Sequence, residues 1–500
     1  MQSELVNLNN REERYFRNKI DSHNGWALTF DDVICEPGYT DFDPSIVNLD
    51  TQIGPYKLKL PIMSASMDTV TESEMAIEMA LQGGLGVLHR NCPYKKQLEM
   101  VEKVKRARSF IIENVATVKP DDSIDFVRRK MKELNISGLV VVDDSNKVIG
   151  ICTARDLPFD KNVKGYVRDI MTKDPVCAQV GISQEEALKI LYNIRKEKLP
   201  LINKEGKLVG LITVKDLKGE YPNASKDEKG RLLAALGISP KMPTSTEDLK
   251  IFKKIDELCD LFVTDVADVF KAQDLAGIKE IMEKTTTPII VGNIGTFKAA
   301  EHIITKLDFP KDKFIGLKAG MGSGSICITT IQTGVGAPTL FATAEVADAI
   351  KMYNPKLCLV ADGGFKNPGD LLKAFAVGAD VIMSGHFFAG CTESPGYVDT
   401  IGGRKVKIYR GMGSKEARSV GEFAYDRYSQ AQKKITEGVS DYVPFVGSVQ
   451  GVIEQLVEGL KNGMIYAGAQ NLKEAKLINL RKVTFAGKIE TGPHDLLGRS

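Results

Sequence analysis

Apolar residues fall into short continuous runs separated by longer amphipathic stretches. The runs lie at 61–66, 84–89, 232–238, 261–266, 288–294, 314–319, 357–361 and 380–384, and each is closed by small or polar residues. Brief, continuously apolar runs suit strands buried on both faces of a parallel sheet. Helical patterns separate most of them, as at 72–81, 273–283, 297–307, 344–353 and 367–376. Residues 29–60 read as irregular, broken by Gly38, Pro44, Gly54 and Pro55. Eight strand–helix units are the count of an α/β TIM (β/α)8 barrel, which is the predicted fold class.

The pattern changes between about 109 and 221. Val148-Ile149-Gly150-Ile151-Cys152-Thr153-Ala154-Arg155-Asp156-Leu157 is matched by Leu208-Val209-Gly210-Leu211-Ile212-Thr213-Val214-Lys215-Asp216-Leu217. The helical stretches 123–134 and 183–197 keep the same offset, which marks a duplicated unit. Each half reads helix, strand, turn, strand, then Gly-x-x-Thr-x-x-Asp. Turns at 143–146 and 203–206 suit hairpins. Thr153 with Asp156, and Thr213 with Asp216, fit helix caps. The same Asp can instead accept from ribose hydroxyls beside a phosphate held at a helix start. The predicted organisation is a first barrel segment at 1–108, an inserted repeat pair at about 109–165 and 166–221, and a second barrel segment at 222–500.

Length and composition are those of an ordinary globular chain of two or three domains: 500 residues, 43% hydrophobic, 26% charged. A formal net charge of +2 gives no nucleic-acid footprint, and no apolar run is long enough to span a bilayer. Residues 1–19 are too polar for a secretory signal. The eight cysteines are scattered without a Cys-x-x-Cys pair, which points to a reducing compartment, the cytoplasm.

Candidate chemistry centres on Gly322-Ser323-Gly324-Ser325-Ile326-Cys327-Ile328-Thr329-Thr330. Glycines let backbone amides wrap an anion, and a cysteine in that field is biased toward the nucleophilic thiolate. The plainer account is a glycine-rich turn before a small buried residue. Position favours the first: the loop follows the sixth strand, on the face where barrels keep active sites. The same rim receives Met67 and Asp68 after strand one, Asp265 after strand four and Asn293 after strand five. Asp362-Gly363-Gly364 follow strand seven, and Gly385-His386 follow strand eight. Those glycines, with Ser325, suit a phosphate; Asp362 suits ribose hydroxyls. Each Asp or Asn also fits a plain helix N-cap. Residues 409–447 form a long, polar, glycine-punctuated segment, which reads as a lid carrying Arg427, Tyr428 and Glu437 or as a surface excursion.

These motifs resemble the inosine-5′-monophosphate dehydrogenases, over about 28–495 and including the insertion, which is similar to a tandem CBS (Bateman) pair. The points of likeness are Met67-Asp68-Thr69-Val70-Thr71-Glu72, residues 84–91, Lys226-Asp227-Glu228-Lys229-Gly230-Arg231-Leu232, the Cys327 loop and Ala361-Asp362-Gly363-Gly364. Further points are Glu393-Ser394-Pro395-Gly396, residues 409–414, Arg427-Tyr428 and Pro493-His494-Asp495. The resemblance implies oxidation of IMP to XMP with NAD+: Cys327 adds to the purine, hydride leaves, and water hydrolyses the covalent intermediate. By the family pattern Ser325, Gly364, Gly385 and Tyr409 hold the phosphate and Asp362 the ribose; Gly363, Gly411 and His386, the last as a replacement donor, are also placed in the substrate site. Met67, Met412, Gly413 and Glu437 meet the base. Thr329, Arg427, Tyr428 and Glu437 serve the water step. Asp265, Asn293, Gly320 and Gly322 serve the dinucleotide. A potassium ion is implied on carbonyls of Gly322, Gly324 and Cys327, with Glu490, Thr491 and Gly492 from a neighbouring subunit. That implies a homotetramer, extended to an octamer by purine nucleotides on the CBS pair.

The chain departs from the pattern at Asp265-Val266-Ala267-Asp268-Val269-Phe270, at Thr330 where the family often has Arg, and at His386 where Ser is common. Asp265-Val266-Ala267 resembles GMP reductase, the alternative reading. A catalytically silent nucleotide sensor is a third.

Overall fold

The computed structural model describes residues 14–107, 111–112, 115–134, 136–160, 164–182, 184–214, 221–419 and 435–493. Their contacts divide into two compact units: 1–105, 223–225 and 233–500, and 106–222 with 226–232.

The first unit is built on a closed barrel of eight parallel strands. They are β1 (Ile62–Ser64), β2 (Leu85–Leu88), β3 (Ala235–Ile238), β4 (Leu261–Thr264), β5 (Ile289–Ile294), β6 (Phe314–Ala319), β7 (Cys358–Asp362) and β8 (Val381–Ser384). The ring closes between β8 and β1, with Ile382, Met383 and Ser384 opposite Ile62, Met63 and Ser64. Although the insertion separates them in sequence, β2 and β3 pair directly, Val87 with Ala235 and Leu88 with Leu236. Met63, Leu85, Val87, Ala235, Leu261, Val263, Ile290, Val360, Val381 and Met383 are buried in one core. Removing one of the larger of these side chains costs about 2–5 kcal/mol.

Helices on the outside include α1 (Ser73–Leu81), α2 (Tyr94–Arg106), α3 (Thr246–Leu258), α4 (Ala272–Lys284), α5 (Phe297–Lys306), α6 (Thr339–Tyr353), α7 (Pro368–Ala376) and α8 (Val449–Ala467). Their starts follow local capping chemistry: Ser245, Thr296, Asn367 and Ser448 each accept a hydrogen bond from an amide three residues on. Helix α6 starts five residues before the predicted 344, because Pro338 occupies its N-cap and Thr339 and Leu340 are buried with the rest of it. The third strand is shorter than predicted: residues 226–232 form a turn held by Asp227 and Arg231 within the second unit.

Asp260, just before β4, accepts from the Lys105 ammonium near the end of α2 and from the Ala234 amide just before β3 (2.7 Å). One buried carboxylate thus pins the chain on both sides of the insertion.

The second unit contains two four-stranded sheets with matching hairpins. Gly138–Val142 pairs with Val148–Thr153, and Lys198–Ile202 with Leu208–Thr213; the registers shift at Val141/Val142 and Leu201/Ile202. The Asp143 carboxylate accepts from the amides of Ser145 and Lys147, as the Asn203 side chain does from Glu205 and Lys207. Duplication therefore extends to the turn geometry.

The segment predicted as a loop over 409–447 is sheet at both ends. Arg404–Arg410 lies between Asp399–Ile401 and Ser440–Pro444, all antiparallel. Alternation explains it: Lys407 and Tyr409 are buried on one face while Arg404 and Ile408 of the other face are exposed.

Candidate active site

A cavity of about 280 Å3 opens at the C-terminal ends of the strands. Its wall takes Ala65 and Met67 after β1, Val266 and Ala267 after β4, Asn293 from β5, and residues 320–327 with Thr329 after β6. Asp362–Lys366, Ser384–His386, Tyr409, Gly411, Met412 and Glu437 complete it. Parallel strands ending together explain why residues distant in sequence converge here.

The Cys327 loop folds back on itself, with the Cys327 amide bonded to the Gly324 carbonyl (2.9 Å). It is also stitched to the far end of the 409–447 segment: Ile328 N–H donates to Glu437 O (3.0 Å) and Val439 N–H to Ile326 O (3.0 Å). This backbone pairing delivers the Glu437 side chain. The Cys327 thiol donates to Thr329 Oγ1 (3.2 Å), and that hydroxyl donates to Glu437 Oε2 (2.9 Å). Thr329 and Glu437 are each only 4% exposed. The hydrogen bonds link a thiol through a hydroxyl to a dry carboxylate, a geometry able to take a proton from a weak nucleophile.

Tyr409 closes one side, its hydroxyl 4.0 Å from the Met67 sulfur. Burial pushes its pKa well above the ordinary phenol value, opposed by a hydrogen bond with Ser325, so it acts as a neutral donor. His386 also lines the cavity, and partial burial lowers its pKa, favouring neutral imidazole. Gly385 has no room for a side chain, since a Cβ would lie 2.7 Å from the Tyr409 hydroxyl. Asp362, with Gly363 and Gly364 beside it, receives Asn293 Nδ2 (2.8 Å) and Lys318 Nζ (2.9 Å) on Oδ2.

Other residues singled out in the sequence lie elsewhere. Asp265 is 1% exposed and paired with Arg90 (3.4 Å), so its charge is neutralised in the interior, and only Val266 and Ala267 of that stretch line the cavity. Thr330 packs its hydroxyl against Gly322 and Gly336, where a Cβ would lie 2.3 and 2.2 Å away. Gly413 stands behind the wall, its carbonyl accepting from Glu437 N–H (3.2 Å). Glu490, Thr491 and Gly492 end a short helix and are outside the cavity wall of their own chain. Thr153 donates through both amide and hydroxyl to Asp156 (2.7 Å each), a local cap. Arg427, Tyr428 and Asp216 lie outside the described residues. The sequence reading missed Lys318; its one signal was a lysine inside the apolar strand Phe314–Ala319.

Residues 27–494 match the IMP dehydrogenase / GMP reductase domain. The chain belongs to this family. It is 46% identical to an inosine-5′-monophosphate dehydrogenase of Korarchaeum cryptofilum over 474 residues, 94% of this chain and 97% of the relative. It is 42% identical to one from Methanocaldococcus jannaschii over 487 residues, 94% and 95% of the two chains. Among solved structures, a cysteine-to-alanine variant of GMP reductase from Trypanosoma brucei, in complex with guanosine 5′-monophosphate, is similar at a TM-score of 0.79 and 32% identity, covering 94% of this chain and 98% of that one. Family membership thus spans both barrel segments and the insertion, and both named activities of the family occur among its relatives.

Proposed function

We propose that this chain oxidises IMP to XMP with NAD+, within guanine nucleotide biosynthesis. The observation that carries the reading is the Cys327–Thr329–Glu437 chain of hydrogen bonds in the cavity wall. The Cys327 thiol loses its proton through Thr329 toward Glu437, and the thiolate adds to C2 of the hypoxanthine. NAD+ supplies the acceptor for the hydride leaving C2. Water then displaces the thiolate, with Thr329, Glu437, Arg427 and Tyr428 as the groups for that step. Ser325, Gly363, Gly364, Gly385, His386, Tyr409 and Gly411 hold the phosphate; Asp362 holds the ribose; Met67 and Met412 flank the base, with Gly413 behind them in the wall. Asn293, Gly320 and Gly322 border the dinucleotide. Asp265, expected at the dinucleotide, is buried behind that wall and paired with Arg90.

The test is absorbance of reduced cofactor with purified protein, IMP, NAD+ and potassium chloride. NADH formed with XMP supports the reading; no NADH defeats it. A second reading, reduction of GMP to IMP and ammonia with NADPH, is favoured by Asp265-Val266-Ala267 and by the likeness to the trypanosomal GMP reductase. Loss of NADPH absorbance with GMP supports that one. Silence in both assays leaves the nucleotide-sensor reading.

A potassium ion suits the backbone carbonyls of Gly322, Gly324 and Cys327, since carbonyl oxygens are ligands for a hard monovalent cation. The tight turn fits such a cradle: Gly322 has φ +80°, where a side chain is strained. Glu490, Thr491 and Gly492 of a second copy would complete the shell, in a homotetramer. Replacing potassium by lithium tests the ion. The insertion is read as a CBS pair binding purine nucleotides at Thr153, Asp156, Thr213 and Asp216 and pairing tetramers into octamers. Thermal shift and sedimentation with ATP or GTP test that. All eight cysteines are free, which supports a reducing compartment, the cytoplasm.

A further inference from the structure

We infer that Lys318 is a positioning residue for the nucleotide: together with Asn293 it saturates one oxygen of Asp362 and reserves the other for ribose hydroxyls. The inference rests on the reading of Asp362 as the ribose acceptor. Lys318 stands opposite Gly292 on β5 and Val360 on β7 in the ladder, so it shares the inward face with Val360. Its side chain is 4% exposed. Room for it comes from Gly292, where a Cβ would lie 2.7 Å from that of Lys318. A buried ammonium is costly unless paired and hydrogen-bonded.

Here Nζ donates to Asp362 Oδ2 (2.9 Å) and to Asn293 Oδ1. Asn293 Nδ2 donates to the same Oδ2 (2.8 Å) and to Gly320 O (2.8 Å). Oδ2 therefore takes two donors, while no described side chain donates to Oδ1. A carboxylate oxygen accepts about two hydrogen bonds, so Oδ2 is filled and Oδ1 keeps its capacity. Asp362 and Asn293 line the cavity, whereas Lys318 does not. It can reach a nucleotide only through them.

A lysine that serves solely as a counter-ion would weaken every nucleotide alike. A lysine that orients Asp362 weakens only those with ribose hydroxyls. The experiment is titration calorimetry of the full chain, wild type and Lys318→Met, with IMP and with 2′,3′-dideoxy-IMP, alongside thermal melting. Loss of an ionic hydrogen bond's orientation predicts that Kd for IMP rises about 10- to 100-fold. Kd for the dideoxy nucleotide should change less than about threefold. Equal weakening of both overturns the role of Lys318. Should Lys318→Met fail to fold, Lys318→Gln keeps one donor and should give the same differential loss at smaller size; its absence there also overturns the inference. A wild-type protein that binds both nucleotides equally refutes the ribose reading itself, and the inference with it. Wild-type discrimination that survives both variants refutes only Lys318.

Discussion

The thiol of Cys327, the hydroxyl of Thr329 and the carboxylate of Glu437 form one line of hydrogen bonds, and each has a separable task. Cys327→Ala removes the nucleophile without touching the phosphate or ribose contacts. Turnover should vanish while IMP binding, read by calorimetry, stays within about threefold of wild type. Residual turnover at wild-type rate would refute covalent catalysis. Glu437→Gln keeps the hydrogen bond from Thr329 but cannot take a proton. General-base effects of this kind are worth about 10²–10⁴-fold, so kcat should fall by that order with KM little changed. An unchanged kcat would leave Glu437 as a structural acceptor. Cys327 and Thr329 were legible from their loop alone. Glu437 was legible from the residues only as part of a polar segment, and its place beside Thr329 came from the family resemblance, because the contact spans 108 positions.

Among the elements, α1 begins beside a charged cluster. Glu72, its N-cap residue, meets His89 (3.2 Å) at the end of β2 and Lys96 on α2. The hydrogen bond to His89, then the one to Lys96, lowers the Glu72 carboxyl to about 2 from an ordinary 4.5. A carboxyl whose pKa is depressed on folding stabilises the fold fully above its unfolded value. That stabilisation is lost as pH falls from 4.5 toward 2. Glu72→Gln should therefore melt lower than wild type at neutral pH and converge with it as the acid limit is approached, followed by circular dichroism. A gap that persists unchanged at low pH would mean that packing, not charge, is responsible. At the same scale, strands and helices of the barrel were legible because apolar runs and helical periods differ in pattern. The antiparallel sheet around Arg404–Arg410 was not, because glycines and charges at its ends resemble those of a loop.

The whole molecule separates into a barrel that closes by its own pairing and an inserted unit with cores of its own. β2 and β3 pair across the insertion point, and Asp260 holds both Lys105 and Ala234 there. Replacing 107–222 with a short Gly-Ser linker should leave a folded barrel whose turnover stays within about threefold of the full chain, since domains with separate cores fold alone. Loss of folding, seen as an absent cooperative melt, would mean the insertion is needed to close the ring.

By itself the sequence determined the strand count, the duplicated insertion and the glycine-bounded cysteine, because these depend on local period, internal similarity and backbone permissiveness. Tertiary structure alone decided which charges face the cavity. Asp265 and Asp362 both follow barrel strands, yet Arg90 neutralises the first inside the protein while Lys318 and Asn293 hold the second at the cavity wall. The physical reason is that a carboxylate's role is set by the partners that closure of the barrel brings to it, and those partners lie on other strands.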